Sequence, residues 1–228
     1  AADASSASAA FVRAMDSGVA ALDGNPARTM PSSAFEMSLS LGEYPAGLHQ
    51  IAGAAAIRLG PGAVGTSVGV FFSSPTQVLD RTVSGGFVFN GRMFRASNPR
   101  WNAAYVVLFR GWSFGLRYRL IASRFDDIRV YGHTFSAGAS SPVIGGRHRF
   151  AVSIEDVGVY GKRPVAFAPI ASWALRIGGR GVRVRVLGAD VRFAPSGVEA
   201  AIAARLGFGG VGASLGVEYL SGDGGRVS

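Results

Sequence analysis

Residues Val182-Arg183-Val184-Arg185-Val186 alternate valine with arginine. The same period of two runs through Phe35-Glu36-Met37-Ser38-Leu39-Ser40-Leu41 and Phe150-Ala151-Val152-Ser153-Ile154-Glu155. Successive side chains of a strand point to opposite faces, so each such ribbon has one oily side and one polar or small side. From Ala34 onward these runs recur between turn formers. They predict strands over residues 34–43, 48–59, 63–73, 76–89, 101–110, 112–124, 128–139, 147–158, 164–177, 181–192, 197–207 and 210–220. Breaks fall at Pro45-Ala46-Gly47, Gly60-Pro61-Gly62, Ser74-Pro75, Asn98-Pro99, Gly145-Gly146, Gly178-Gly179, Pro195-Ser196-Gly197 and Gly209-Gly210. The count is about twelve, within a range of roughly ten to fourteen, at about ten residues each. That is the length at which a tilted strand crosses a bilayer. Short connections make sequence neighbours antiparallel neighbours in space.

Sorting by parity separates two faces. One collects Phe35, Met37, Leu39, Leu41, Val64, Val68, Val70, Phe72, Leu116, Tyr118, Leu120, Phe150, Val152 and Ile154, and later Val182, Val184, Val186, Val198, Ile202, Leu206, Leu215, Val217 and Tyr219. The other collects Glu36, Arg117, Arg119, Arg149, Glu155, Arg183, Arg185, Glu199, Arg205 and Glu218. In a soluble sandwich the oily face meets a second sheet and the charged face meets water. In a membrane barrel the oily face meets lipid and the charged face lines the lumen. An arginine turned to lipid at the midplane costs about 2–4 kcal/mol. Arginines gathered on one parity therefore suit a lumen, where they pair with glutamates. Tyr44, Trp101, Tyr105, Trp112, Tyr118, Tyr131, Tyr160 and Trp173 fall mostly near predicted strand ends, where aromatic girdles sit. Glycines inside strands, such as Gly65, Gly69, Gly115, Gly188, Gly212 and Gly216, weaken an ordinary sheet but relieve curvature and make room in a small barrel.

Composition favours the second setting. Hydrophobic residues make up 48% of the 228 residues and charged ones 16%, yet no run approaches the roughly 18 apolar residues of a spanning helix. Only helices and closed barrels satisfy the backbone in lipid. The expected fold is an all-β, antiparallel transmembrane barrel over residues 34–228, preceded by a short, partly helical hatch or plug segment over 1–33. Ala9, Ala10, Val12, Ala14, Met15, Val19, Ala20 and Leu22 predict one or two helical turns there, and Asp23-Gly24-Asn25-Pro26 breaks them. The opening AADASSASAA resembles what remains after a signal peptide is cut at an A-x-A site, which implies export.

The net charge of +9 is carried by arginine, Lys162 being the sole lysine. Its arginines are spread singly along strands, which argues against a nucleic-acid partner. Contact with anionic lipid, or composition alone, accounts for it equally well. With no cysteine there is no disulfide framework and no thiolate metal site. His49, His133 and His148 sit in separate segments without metal-ligand spacing. Asp126-Asp127 reads as a solvated pair at a strand end, no G-x-S-x-G elbow is present, and Gly207-Phe208-Gly209-Gly210 does not open a helix. The expectation is a non-enzymatic protein without catalytic residues, metal or cofactor.

The stretch Arg13-Ala14-Met15-Asp16-Ser17-Gly18-Val19-Ala20-Ala21-Leu22-Asp23-Gly24-Asn25-Pro26-Ala27 resembles the opening of the FadL-like superfamily, in particular its PorV/PorQ-type branch. Those barrels begin with small residues, an acidic residue and an Asn-Pro-Ala turn. The resemblance makes Asn25, Pro26 and Ala27 the hatch motif, with Asn-Pro redirecting the chain into the wall. Gly115–Ser123, Ala151–Gly158 and Ala189-Asp190 with Gly197-Val198-Glu199 are similar to strands of that family in order. Glu155-Asp156-Val157-Gly158 stands where the family has an Asn-Leu-Gly-like turn. The chain is shorter than the family's fourteen-stranded members, and long outer loops are missing from the pattern. The resemblance implies a bacterial outer-membrane protein in contact with membrane lipids and other envelope proteins. Its role would be that of a partner-binding or scaffold subunit of an assembly such as type IX secretion. The alternatives are a FadL-like channel for hydrophobic small molecules, with a ligand pocket near the hatch, and a soluble β-sandwich binding module.

Overall fold

The computed structural model describes residues 18–44, 47–81, 87–165, 168–176, 183–194, 197–208 and 211–221. Two short 3-10 helices, Gly18–Asp23 and Pro26–Arg28, precede fourteen strands. These are β1 (Phe35–Tyr44), β2 (Leu48–Leu59), β3 (Gly62–Ser73), β4 (Thr76–Arg81), β5 (Phe87–Phe94), β6 (Ala96–Phe109), β7 (Trp112–Phe125), β8 (Ile128–Ser140), β9 (His148–Tyr160), β10 (Arg163–Val165), β11 (Ala168–Arg176), β12 (Arg183–Ala194), β13 (Gly197–Phe208) and β14 (Val211–Ser221). The fold is all-β and antiparallel. Eleven strands follow one another across the main sheet in the order β1-β2-β3-β6-β7-β8-β9-β11-β12-β13-β14. β10 pairs with the end of β9 in the register that β11 continues. Sequence neighbours pair throughout, except that the β4-β5 hairpin forms its own small sheet between β3 and β6.

The two-residue connection Arg110-Gly111 has positive φ at both positions, 50° and 82°, as a tight hairpin matched to strand twist requires. β1 and β14 are the two ends of the series, and no pairing among the described residues joins them. As first and eleventh strands of an alternating path, they run in the same direction.

Two predicted boundaries change. The stretch 76–89 is not one strand, because the chain turns back within it to form β4 and β5. Asn98-Pro99 is not a break but part of β6, where Asn98 pairs with Phe71 and Pro99 with Val70 on β3. Towards β7 the ladder lapses between Ser97 and Arg100, as expected where proline offers no N–H. Since β6 starts earlier than predicted, Trp101 lies within the strand and not at its end; Tyr105 on β6 and Tyr118 on β7 are mid-strand as well. Glu155-Asp156-Val157-Gly158, where the resemblance places a turn, is strand as the alternation predicts, and β9 runs through it to Tyr160.

The sheet is largely polar or small where it is covered, with Ala104, Val106 and Ile170 among the exceptions, and apolar where it is bare. Ser67, Asn102, Arg117, Thr134, Ser136 and Ser153 are buried. Their strand neighbours Val68, Trp101, Leu116, Phe135 and Val152 are exposed, and Leu39 and Leu41 on β1 are each 75% exposed. The one hydrogen-bonding pair on the bare face of β3 and β6 is satisfied internally. Trp101 Nε1 donates to Thr66 Oγ1 at 2.9 Å, and that hydroxyl donates to Asn102 O at 3.0 Å.

Candidate functional site

The segment from Gly18 to Pro31 covers the polar face, packing on β3, β6, β7 and β8. Its apolar side is small: Val19 and Leu22 cluster with Ala56 and Ala104. Asn25 caps the second 3-10 helix, its side chain accepting from Ala27 N at 2.9 Å, and Pro26 follows at the position where a missing N–H costs nothing. Asn25 Nδ2 also donates to Val152 O on β9 at 3.3 Å. Asn25, Pro26 and Ala27 are all buried. They fit because the sheet beneath is bare of side chains: a Cβ on Gly115 would overlap the Pro26–Ala27 backbone, and one on Gly138 the side-chain amide oxygen of Asn25.

Beside this contact lies a charged cluster. Arg117 Nη1 donates to Gly24 O at 2.6 Å and to Leu22 O at 3.2 Å, and its Nη2 to Ser136 Oγ at 2.8 Å. Arg119 donates through Nη2 to Asp23 O at 3.1 Å and through Nε to Asn102 Oδ1 at 2.9 Å. Asp156 joins the two cations, 3.1 Å from Arg119 and 3.7 Å from Arg117, and accepts from Thr134 Oγ1 at 3.1 Å. A second carboxylate, Asp23, accepts from Asn102 Nδ2 at 2.7 Å and pairs with Arg100 at 3.0 Å. The arginines thus grip backbone carbonyls of the covering segment, while the carboxylates hold the guanidinium groups in place.

A bulge in β9 makes the cluster. The register against β8 jumps from Phe135↔Val157 to Ala137↔Ile154, so Glu155 and Asp156 together oppose Ser136. Asp156 takes φ 61°, an uncommon conformation that aspartate tolerates better than most residues. Its N–H donates to Ser136 Oγ at 3.1 Å. The extra residue turns two consecutive carboxylates to the covered face and switches parity. Val152 and Ile154 before it, and Val157 and Val159 after it, are all exposed.

Of the expected lumen charges, Arg117 and Arg119 meet at this site, and Glu155 is buried on the same face with Ser153 Oγ 3.3 Å away. Glu36 lies on β1, where it accepts from Ser32 N at 3.2 Å. Arg149 is half-buried on β9, with no hydrogen bond or ion pair to it among the described residues. The side chains of Arg183, Arg185, Glu199, Arg205 and Glu218 lie outside the described residues. Glutamates were expected to pair with Arg117 and Arg119; the carboxylate paired with both is an aspartate, Asp156, and Glu155 on the same face also attracts Arg117. Strict alternation assigns Asp156 to the oily face, so only the bulge reveals its place. Asp23 belongs to a segment whose docking has no period.

No group of three metal-ligating side chains occurs among the described residues. The cluster's donors and acceptors are turned on one another and on the covering backbone, which is the chemistry of a clasp. Compared with family models, curated proteins and solved structures, the chain finds no match.

Proposed function

We propose that the chain is a non-enzymatic outer-membrane β-barrel whose lumen is stopped by its own N-terminal segment, acting through wall and rims as a scaffold subunit of an envelope assembly. One observation carries this reading: the described sheet is inverted relative to a soluble protein, with arginine, glutamate and serine covered and leucine, valine and phenylalanine bare. Soluble monomers rarely expose contiguous apolar surface beyond a few hundred Å². On β7 the bare-face positions from Trp112 to Ala122 carry no charge. At about 3.4 Å per residue and about 40° of tilt they rise about 26 Å, matching the apolar band of such barrels. The internal satisfaction of Trp101 and Thr66 suits a surface without water.

A wall in lipid must have no open edge, so β1 and β14 meet in this reading, and their common direction makes the seam parallel. The clasped segment separates a scaffold from a passage for hydrophobic solutes, since the described covered face offers polar bonds and no aromatic-lined pocket.

Extraction from envelopes tests the proposal. The protein is expected in the detergent fraction only, with gel migration that changes on boiling, and with no unitary conductance in planar bilayers. Full solubility in buffer contradicts the membrane reading, and steady conductance contradicts the stopped lumen. Crosslinking in native envelopes is expected to capture other envelope proteins; capture of this chain alone contradicts the scaffold role.

A further inference from the structure

We infer that the rim at which β1 begins docks onto the phosphate headgroups of an anionic lipid leaflet. This rests on the membrane reading above. Antiparallel alternation brings the β2–β3, β6–β7 and β8–β9 connections to that rim. Each carries one exposed arginine: Arg58, Arg110 and Arg147. Residues 57–63, 107–114 and 141–149 contain no aspartate or glutamate. None of the three arginines pairs with a carboxylate among the described residues. The opposite rim is mixed, with Glu43, Asp126 and Asp127 among Arg95, Arg124, Arg129, Lys162 and Arg163, whereas the described carboxylate at the near rim is Glu36, which accepts from Ser32 N. The rims thus differ in the carboxylates interleaved with their cations, which the three near-rim connections lack.

The surroundings of these arginines select the partner. Phe109, Trp112 and Ile144 are exposed beside them, and the Arg110 guanidinium lies 5.3 Å from the centre of the Phe109 ring. Guanidinium groups bind phosphate through paired N–H donors, and aromatic side chains settle at the level of lipid headgroups. Arginine at the margin of an apolar band thus meets phosphate on one side and acyl chains on the other. A nucleic acid would satisfy the arginines but leave Phe109, Trp112 and Ile144 in water.

Quenching of tryptophan by brominated lipids tests this. Trp101→Phe with Trp173→Phe leaves Trp112 at the rim as the one emitter. In phosphatidylcholine vesicles, brominated phosphatidylcholine reports embedding, and brominated phosphatidylglycerol at equal mole fraction reports headgroup preference. The expected result is quenching by both, with phosphatidylglycerol favoured about fivefold or more at low salt. That preference is expected to fall towards unity in 1 M salt and in the variant Arg58→Gln, Arg110→Asn, Arg147→Gln. Asparagine is chosen at 110 because it tolerates the positive φ. Quenching by brominated phosphatidylcholine shows that this variant is embedded. Equal quenching by the two lipids at low salt, or a preference that survives in the variant, overturns the inference and leaves the membrane reading standing. Absence of quenching by either lipid overturns both. Tight binding of an oligothymidylate to the detergent-solubilised protein, lost in the variant, gives the rim to nucleic acid and also overturns it.

Discussion

Arg117 on β7 donates to the carbonyl oxygen of Gly24 at 2.6 Å. The contact is made to backbone, so Arg117 grips the covering segment by its path. Arg117→Met keeps much of the volume but leaves two carbonyls, Ser136 and Asp156 short of a buried donor. Breaking a buried charged network from one side typically costs about 3–5 kcal/mol. The expected outcome is a lower urea midpoint in detergent and proteolytic cleavage within residues 18–31. Arg117→Lys is expected to recover only part of the loss, because an ammonium group lacks the fork that reaches Gly24 and Ser136 together.

Gly115 and Gly138 are the floor on which Asn25-Pro26-Ala27 rests. Alanine at either position is expected to lift the segment and expose it to protease, with a loss of about 1–3 kcal/mol typical of overpacking. Gly53→Ala is the control, since a Cβ there meets no atom closer than Ser38 O at 3.9 Å. Comparable effects from all three would point to strand propensity instead of the docked segment.

Asp156 has two jobs, the bulge and the ion pairs. Asp156→Asn keeps a residue suited to positive φ and loses the charge, whereas Asp156→Ala loses both. Alanine is therefore expected to be the more destabilising. A double-mutant cycle with Arg119→Gln is expected to give a coupling of about 1.5–3 kcal/mol, the range of hydrogen bonds to charged groups. A coupling near zero, from chemical denaturation of the four proteins, would separate Asp156 from the clasp.

The seam is open to a direct test, because the chain has no native cysteine to interfere. With a parallel β1–β14 seam, paired cysteines at Phe35 and Val211 are expected to join through a bismaleimide in intact envelopes. Cysteines at Phe35 and Ser221, at opposite ends, are expected not to join. The reverse result would require another strand or another chain between the edges.

Much of this architecture is legible in the alternation alone. The bounds of β2 follow from Leu48–Leu59 being flanked by Pro45-Ala46-Gly47 and Gly60-Pro61-Gly62, where turns have clear chemistry. Arg117 and Arg119 are legible as partners because they share parity on one strand. Pro99 misleads because a proline inside a strand is tolerated when only one of its two ladders lapses. Asp156 is hidden for a different reason. A bulge shifts every later residue by one, so strict alternation from Val152 and Ile154 puts Asp156 on the oily face and Val157 and Val159 on the polar one. Asp23 and Asn102 are found only once the covering segment is docked, since their 2.7 Å bond joins residues with no shared periodicity.

The central claim is that the bare face touches acyl chains. Single cysteines placed in turn from Phe150 to Glu155, labelled with nitroxide in reconstituted bilayers, test it most directly. The prediction is that positions 150, 152 and 154 are accessible to dissolved oxygen and shielded from a water-soluble nickel complex. Positions 151, 153 and 155 should be closed to both. Free access of the nickel complex to 150, 152 and 154 would place that face in water and contradict the account.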